Sequence, residues 1–343
     1  MLPQIHRREF LAALAAGAVL AGCGAPAARN ASRARVVDAH AHWFPPEWAQ
    51  LNEPDSRMQG NGSMDVPALK SLDARLKAMD EQGVDVHALS HPTQYVYQAP
   101  PERGLLVARL FNDACSAAHL AHPQRFVGLA MLPMQAPEVA AKELERAAAL
   151  PGMRGVHLST NVNGKNLDDP SFFPVYAICE KLGWAIFLHP GNTIGADRTG
   201  RYYLSNLLGN PYDTGVAAAS LVFGGVMDRF PKLQVMLPHA GGTFPWLIGR
   251  LDRGVEMRRE LKDMQRPASA YLRRFHYDTI AHDARIMVAL VRLVGADRVV
   301  LGSDYNFDMG YVRPVEFVGR LAGLGAGERE MILGGNAAQL LRL

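Results

Sequence analysis

Four apolar runs, far apart in the chain, each end on a residue able to bind a metal ion or move a proton, and this arrangement limits the available folds. Val36-Val37-Asp38-Ala39 leads into His40-Ala41-His42, and Ala185-Ile186-Phe187-Leu188 leads into His189-Pro190. Gln234-Val235-Met236-Leu237-Pro238 leads into His239-Ala240-Gly241-Gly242, and Arg298-Val299-Val300-Leu301-Gly302-Ser303 leads into Asp304. The first run, with its β-branched valines, reads as a strand. Residues two apart on a strand share a face, so His40 and His42 can reach one ion. An isolated H-x-H would read equally well as a polar strand end. Several strands delivering such groups at their C-terminal ends is how a (β/α)8 barrel builds a site.

Helix and strand patterns alternate between these runs. Ala68-Leu69, Leu72, Leu76 and Met79 mark one helix face that stops at Gly83, before a strand over residues 84–90. Helical stretches over 105–119, 139–150 and 172–182 alternate with strands over 126–131, 155–159 and 185–189. Residues 244–258 read as helix, 273–279 as the seventh strand, and the helix after 285 leads to the last strand at Asp304. Eight strand candidates at this spacing predict an α/β fold, a single TIM barrel. An open doubly wound sheet shares the alternation. Against it, no G-x-G-x-x-G follows the first strand, and the ionisable residues are scattered over several strand ends. A chain of 343 residues holds one such barrel and no second full domain. Net charge is only +3, with no Lys/Arg cluster interleaved with aromatics, so nothing favours a nucleic-acid partner.

The ordered set H-x-H, H-P, H-A-G-G and G-S-D, closing with Gly335-Asn336-Ala337-Ala338, resembles the amidohydrolase superfamily. More narrowly it resembles amidohydrolase family 2, the aminocarboxymuconate-semialdehyde decarboxylase-like enzymes. The resemblance implies that His40, His42, His189 and Asp304 bind one divalent ion, with His239 as catalytic base and Asp304 also relaying a proton. Zinc is the expected ion, with manganese as the alternative. The implied reaction is decarboxylation of a small unsaturated or aromatic acid by metal-activated water with a histidine base. The alternative is hydrolysis of a cyclic amide, ester or lactone on the same site. The resemblance further implies a homodimer, in which Arg250 reaches the substrate carboxylate of the neighbouring subunit. Two substrate contacts of such relatives are missing. Asn61-Gly62-Ser63-Met64 stands where they carry Phe-Arg-Pro, and Gly191 stands where they carry tryptophan after the His-Pro pair.

Other segments carry further expectations. Residues 44–66 form a Pro/Gly/Asn/Asp-rich connection of the kind that covers a substrate in a barrel enzyme. Residues 191–217 begin as a loop and run into a helix ending near Phe230; their Arg198 and Arg201 either hold a substrate carboxylate or are solvated. His87 reads as a packed strand residue and His91 as one at the mouth of the site. At the N-terminus, Arg7-Arg8 before the apolar run from Phe10 to Ala21 resembles a twin-arginine export signal, and Leu20-Ala21-Gly22-Cys23 a bacterial lipobox. A plain cleaved signal fits too, at Ala25-Pro26-Ala27. The expected organisation is therefore a signal over 1–23, a tether over 24–34 and the barrel over 35–343. The protein is expected in the cell envelope, periplasmic or held to the membrane by a lipid on Cys23. Cys115 and Cys179 read as small buried hydrophobes.

Overall fold

The computed structural model describes residues 34–46, 71–91 and 96–343. The proposed signal and nearly all of the tether, the 44–66 connection beyond residue 46, and Ala68-Leu69 lie outside the described residues. Eight strands form one sheet: β1 (Val37–His42), β2 (Val86–Ser90), β3 (Phe126–Met131), β4 (Met153–Ser159), β5 (Ala185–His189), β6 (Val235–Leu237), β7 (Phe275–Asp278) and β8 (Val299–Val300). Each pairs in parallel with the next in sequence. The sheet closes on itself beyond β8. The Ala39 N–H donates to the Leu301 carbonyl at 2.8 Å, and the Asp304 N–H donates to the His40 carbonyl at 3.0 Å. This is the α/β barrel that the alternating pattern predicts.

Two apolar layers hold it. An inner cluster takes Val37, Val86, Val127, Leu129, Phe187 and Met236 from the strands, together with Leu340 and Leu341 of the C-terminal helix (Asn336–Leu341). An outer cluster packs the sheet against helices α1 (Leu72–Gln82), α2 (Pro101–Ala121), α3 (Pro137–Ala148) and α4 (Phe173–Leu182). Local chemistry sets the ends of α1: the Ser71 hydroxyl accepts from the Ala74 N–H, and Gly83 adopts φ +76° at the C-cap. The register of β1 against β2 slips between Asp38 and Ala41. Such an irregularity re-aims side chains. Here Val37 joins the apolar interior while His42, further along, enters the site.

Some boundaries differ from the sequence reading. The helix expected to end near Phe230 is α5 (Asn210–Phe223), followed by Gly224, Gly225 at φ +73° and a short turn over Val226–Arg229. Glycine there lets the chain turn where a helix would continue. Helix α6 (Ile248–Met257) starts later than residue 244, because left-handed residues from His239 to Gly242 keep the preceding segment in turns. The seventh strand starts at Phe275; Arg273 and Arg274 end a 3-10 segment. Cys115 and Cys179 are buried free thiols.

Candidate metal centre and active site

The ends of β1, β5, β6 and β8 bring five side chains together. His40 Nδ1 lies 2.7 Å from Asp278 Oδ2, His42 Nδ1 lies 3.0 Å from the His91 carbonyl, and His189 Nδ1 lies 3.1 Å from the Pro190 carbonyl. A carbonyl or carboxylate oxygen only accepts, so each Nδ1 carries the hydrogen and each neutral ring presents a lone pair at Nε2. Those lone pairs converge. His40 Nε2 and His42 Nε2 are 3.1 Å apart. Asp304 Oδ1 lies 3.1 Å from His42 Nε2, 3.4 Å from His40 Nε2 and 4.0 Å from His189 Nε2. Acceptors facing one another in a buried site repel unless a cation stands among them. Three imidazoles and one carboxylate suit a divalent ion such as zinc or manganese. The arrangement is a divalent metal site.

His239 belongs to the same constellation. Ligand atoms of His40, His189, His239 and Asp304 all lie within 4.8 Å of one another. His239 Nε2 is 3.7 Å from Asp304 Oδ2. Its backbone has φ +53°, followed by Ala240 at +55°, Gly241 at +81° and Gly242 at +56°. A Cβ on Gly242 would meet the Pro211 carbonyl at 2.1 Å, and one on Gly241 would meet the Tyr277 ring at 2.6 Å. The two glycines of the H-A-G-G motif are therefore steric requirements. Strained backbone of this kind persists where its surroundings hold it.

Asp278 supplies that support. Besides taking the His40 hydrogen, its Oδ2 accepts from the His239 N–H at 3.0 Å, and its Oδ1 accepts from the N–H groups of Ala240 at 2.8 Å and Ile280 at 3.1 Å. One buried carboxylate thus fixes the tautomer of His40 and the turn that carries His239. Electrostatics divide the group. Burial works against a charge on His40, yet the Asp304 and Asp278 carboxylates favour one and lift its pKa to about 10, so its Nε2 lone pair draws a cation, whether a metal ion or a competing proton. Burial holds His42 below the ordinary histidine range and, with its histidine neighbours, His189 well below it. Burial would raise the Asp304 carboxyl, but positive charge at His40 and the surrounding imidazoles of His239 and His42 hold it well below the usual range.

A cavity of about 280 Å³ opens at His239 and Asp304, walled by Leu207, Trp246 and Ile286 on apolar faces and by Asn206, Asn210 and His282 on polar ones. The three arginines singled out from sequence are not among its lining residues. Arg198 and Arg201 are exposed, with the Arg201 guanidinium 4.9 Å from the Tyr202 ring centroid, and Arg250 is exposed on α6. His91, expected at the mouth, is buried: its carbonyl orients His42 and its Nε2 lies 3.1 Å from His157 Nδ1. His87 is packed as expected, with Arg75 at 3.1 Å. Sequence reasoning passed over Asp278 and His282. Asp278 does end a strand, but Phe275-His276-Tyr277 is not an apolar run of the kind that marks Asp304.

The amidohydrolase family profile matches residues 37–343. The chain belongs to the amidohydrolase family. The match spans all five converging side chains, and curated and solved proteins resemble the chain along most of its length. The 2-amino-3-carboxymuconate-6-semialdehyde decarboxylase of Dictyostelium discoideum is 36% identical over 332 residues, covering 91% of this chain and 92% of that protein. The crystal structure of 5-carboxyvanillate decarboxylase from Sphingomonas paucimobilis matches with a TM-score of 0.81 at 27% identity, covering 90% of this chain and 99% of that one. A dihydroxybenzoic acid decarboxylase from Polaromonas sp. JS666, solved with bound manganese, shares the fold with a TM-score of 0.76 at 24% identity over 90% of this chain and 97% of that one.

Proposed function

We propose that this amidohydrolase-family chain is a metal-dependent decarboxylase of a small aromatic or unsaturated carboxylic acid. The observation that carries it is the convergence of three imidazole lone pairs on Asp304 Oδ1, with His239 beside them at an apolar-walled cavity. The decarboxylases among its relatives support the reaction. The hydrolase alternative has no observation of its own. We assign His40, His42, His189 and Asp304 to the ion and leave His239 as the base. His42 Nε2 is nearer the carboxylate than His239 Nε2 is, at 3.1 Å against 3.7 Å, and the His239 side chain is the more open, at 13% exposed against 0%. The donor set suits zinc, and the manganese in the Polaromonas protein makes that metal the alternative.

The bound ion supplies positive charge that stabilises negative charge developing on the substrate. The chain supplies the proton chemistry. In decarboxylation the bond to the carboxylate carbon breaks, its electron pair stays on the substrate carbon, and a proton must arrive there. His239 Nε2 can hold that proton beside Asp304 Oδ2. The Asp304 carboxylate, held ionised by its histidine neighbours, stabilises positive charge on that ring. Leu207, Trp246 and Ile286 offer apolar surface to the body of the substrate. The test is CO2 release over a panel of hydroxylated benzoates and unsaturated diacids, with metal content measured on the same protein. Fully loaded protein that opens lactones and releases no CO2 would reject the reading.

Two further elements belong to this proposal. Arg250 on one subunit serves the carboxylate bound on its neighbour; exposed Trp246 and Leu247, one turn before it on the same segment, support an interface there. Mixing inactive His239→Ala and Arg250→Ala chains should restore activity, and no recovery after proven subunit exchange would reject the trans role. Export rests on Arg7-Arg8 and Cys23. Mass spectrometry of the mature N-terminus should find the signal removed, with a diacylglyceryl Cys23 separating a lipoprotein from plain secretion; an intact Met1 in the cytosol would sink export.

A further inference from the structure

His282 follows β7 and precedes helix α7 (Ala284–Val294), and no family motif points to it. Two contacts with Tyr311 hold it in place, and its neighbours are anchored in turn. Its N–H donates to the Tyr311 hydroxyl at 2.7 Å, and its ring lies against that of Tyr311 with centroids 5.2 Å apart. The Tyr311 N–H in turn donates to the Ser303 carbonyl at 2.7 Å, immediately before Asp304. On the other side, Asp283 caps α7 by accepting from the Arg285 N–H at 2.7 Å. His282 itself sits at φ +56°, a left-handed conformation that few side chains adopt without support. All this anchoring fixes a side chain whose ring nitrogens have no hydrogen-bond partner among the described residues.

The anchored ring belongs to the wall of the cavity that also holds His239 and Asp304, and no lysine or arginine is among the residues lining it. His282 keeps solvent contact, and its partial desolvation beside His239 holds it below the ordinary histidine range. A neutral imidazole offers one N–H donor and one acceptor. A neutral donor–acceptor pair suits a hydroxyl or amino group better than a second carboxylate. We propose that His282 is a specificity-determining residue that hydrogen-bonds a hydroxyl or amino substituent on the substrate acid, while Leu207, Trp246 and Ile286 take its apolar body. This rests on the decarboxylase reading for the class of acid and is independent of it for the contact.

The test uses the full-length, metal-loaded protein and calorimetric titration with 2-hydroxybenzoate and with benzoate. The wild type should prefer the hydroxylated acid by about fivefold to tenfold, the size of one net hydrogen bond. His282→Ala should abolish that preference while leaving benzoate affinity within about twofold, and His282→Gln should keep part of it. Metal content should not change. A preference retained in His282→Ala, an equal loss for both acids, or no preference in the wild type would each overturn the proposal. Should His282→Ala fail to fold, Tyr311→Phe removes the anchoring hydroxyl and should reduce the preference; an unchanged preference there also overturns it. CO2 is read separately. Intact discrimination without CO2 release would reject the decarboxylase reading and support this contact.

Discussion

Along β1 and β5 the interior of the barrel changes character within a few residues. Val37 at the start of β1 and Phe187 in the middle of β5 are packed among Val86, Val127, Leu129 and Met236, with Leu340 and Leu341 against them. His42 and His189 at the ends of the same strands face one another and Asp304, with acceptor lone pairs turned inward. The first region is satisfied by its own contacts. The second is stable only with a cation or proton in its midst and with Asp278, the His91 carbonyl and the Pro190 carbonyl holding the rings. One scaffold therefore supplies rigidity from its apolar half and spends it holding groups that would otherwise repel. The two regions should respond differently to substitution.

The largest contrast comes from removing a ligand. His189→Ala, or exhaustive chelation of the wild type, should eliminate CO2 release and lower ion content well below one per chain, because a direct bond to the ion is lost. Elemental analysis beside the activity assay reads both; a His189→Ala protein with full metal and normal turnover would break the assignment. His239→Ala comes next, with turnover down by roughly 10² to 10⁴ and metal retained. Loss of metal along with turnover would make His239 a ligand. On the apolar side, Leu129→Ala should cost about 2–5 kcal/mol of stability by denaturant titration. Its remaining folded fraction should bind metal as the wild type does, and a matching loss of affinity would erase the distinction between the halves. The smallest effect belongs to Asp278→Asn. An amide cannot accept from every N–H that Asp278 now serves, so metal affinity should fall by roughly 10- to 100-fold in a chelator competition. Unchanged affinity would remove Asp278 from the support of the site.

Much of this was legible before any coordinates. The barrel follows from strand and helix patterns of fixed period, and the converging His and Asp side chains stand where apolar runs stop, a position the fold itself turns into a site. What the sequence left hidden is of another kind. His40 and Asp278 meet only because β1 and β7 belong to one closed sheet, and no local pattern distinguishes Asp278 from an ordinary acidic strand end. His282 becomes visible only through its left-handed backbone and its hold on Tyr311. Arg198 and Arg201 were singled out by charge in an unusual loop, but loop composition does not specify where an exposed side chain points. The slip in β1 shows the same limit: strict alternation along residues 37–42 would not put both Val37 and His42 on the interior side.

The barrel's closure has a temporal consequence. Its seam lies between the first strand and the segment after the last, where the Ala39 N–H meets Leu301 and the Asp304 N–H meets His40. His40, His42 and Asp304 flank that seam from opposite ends of the polypeptide. A nascent chain that has not yet released Asp304 from the ribosome has imidazoles but no completed cage. Joining the ends pays the loop-closure entropy of almost the whole domain. An ion that binds only the joined form then acts as a clasp, stabilising the fold in proportion to how far its concentration exceeds its dissociation constant. Supply of the metal would in that way govern how much of the newly made protein survives as well as how much of it works.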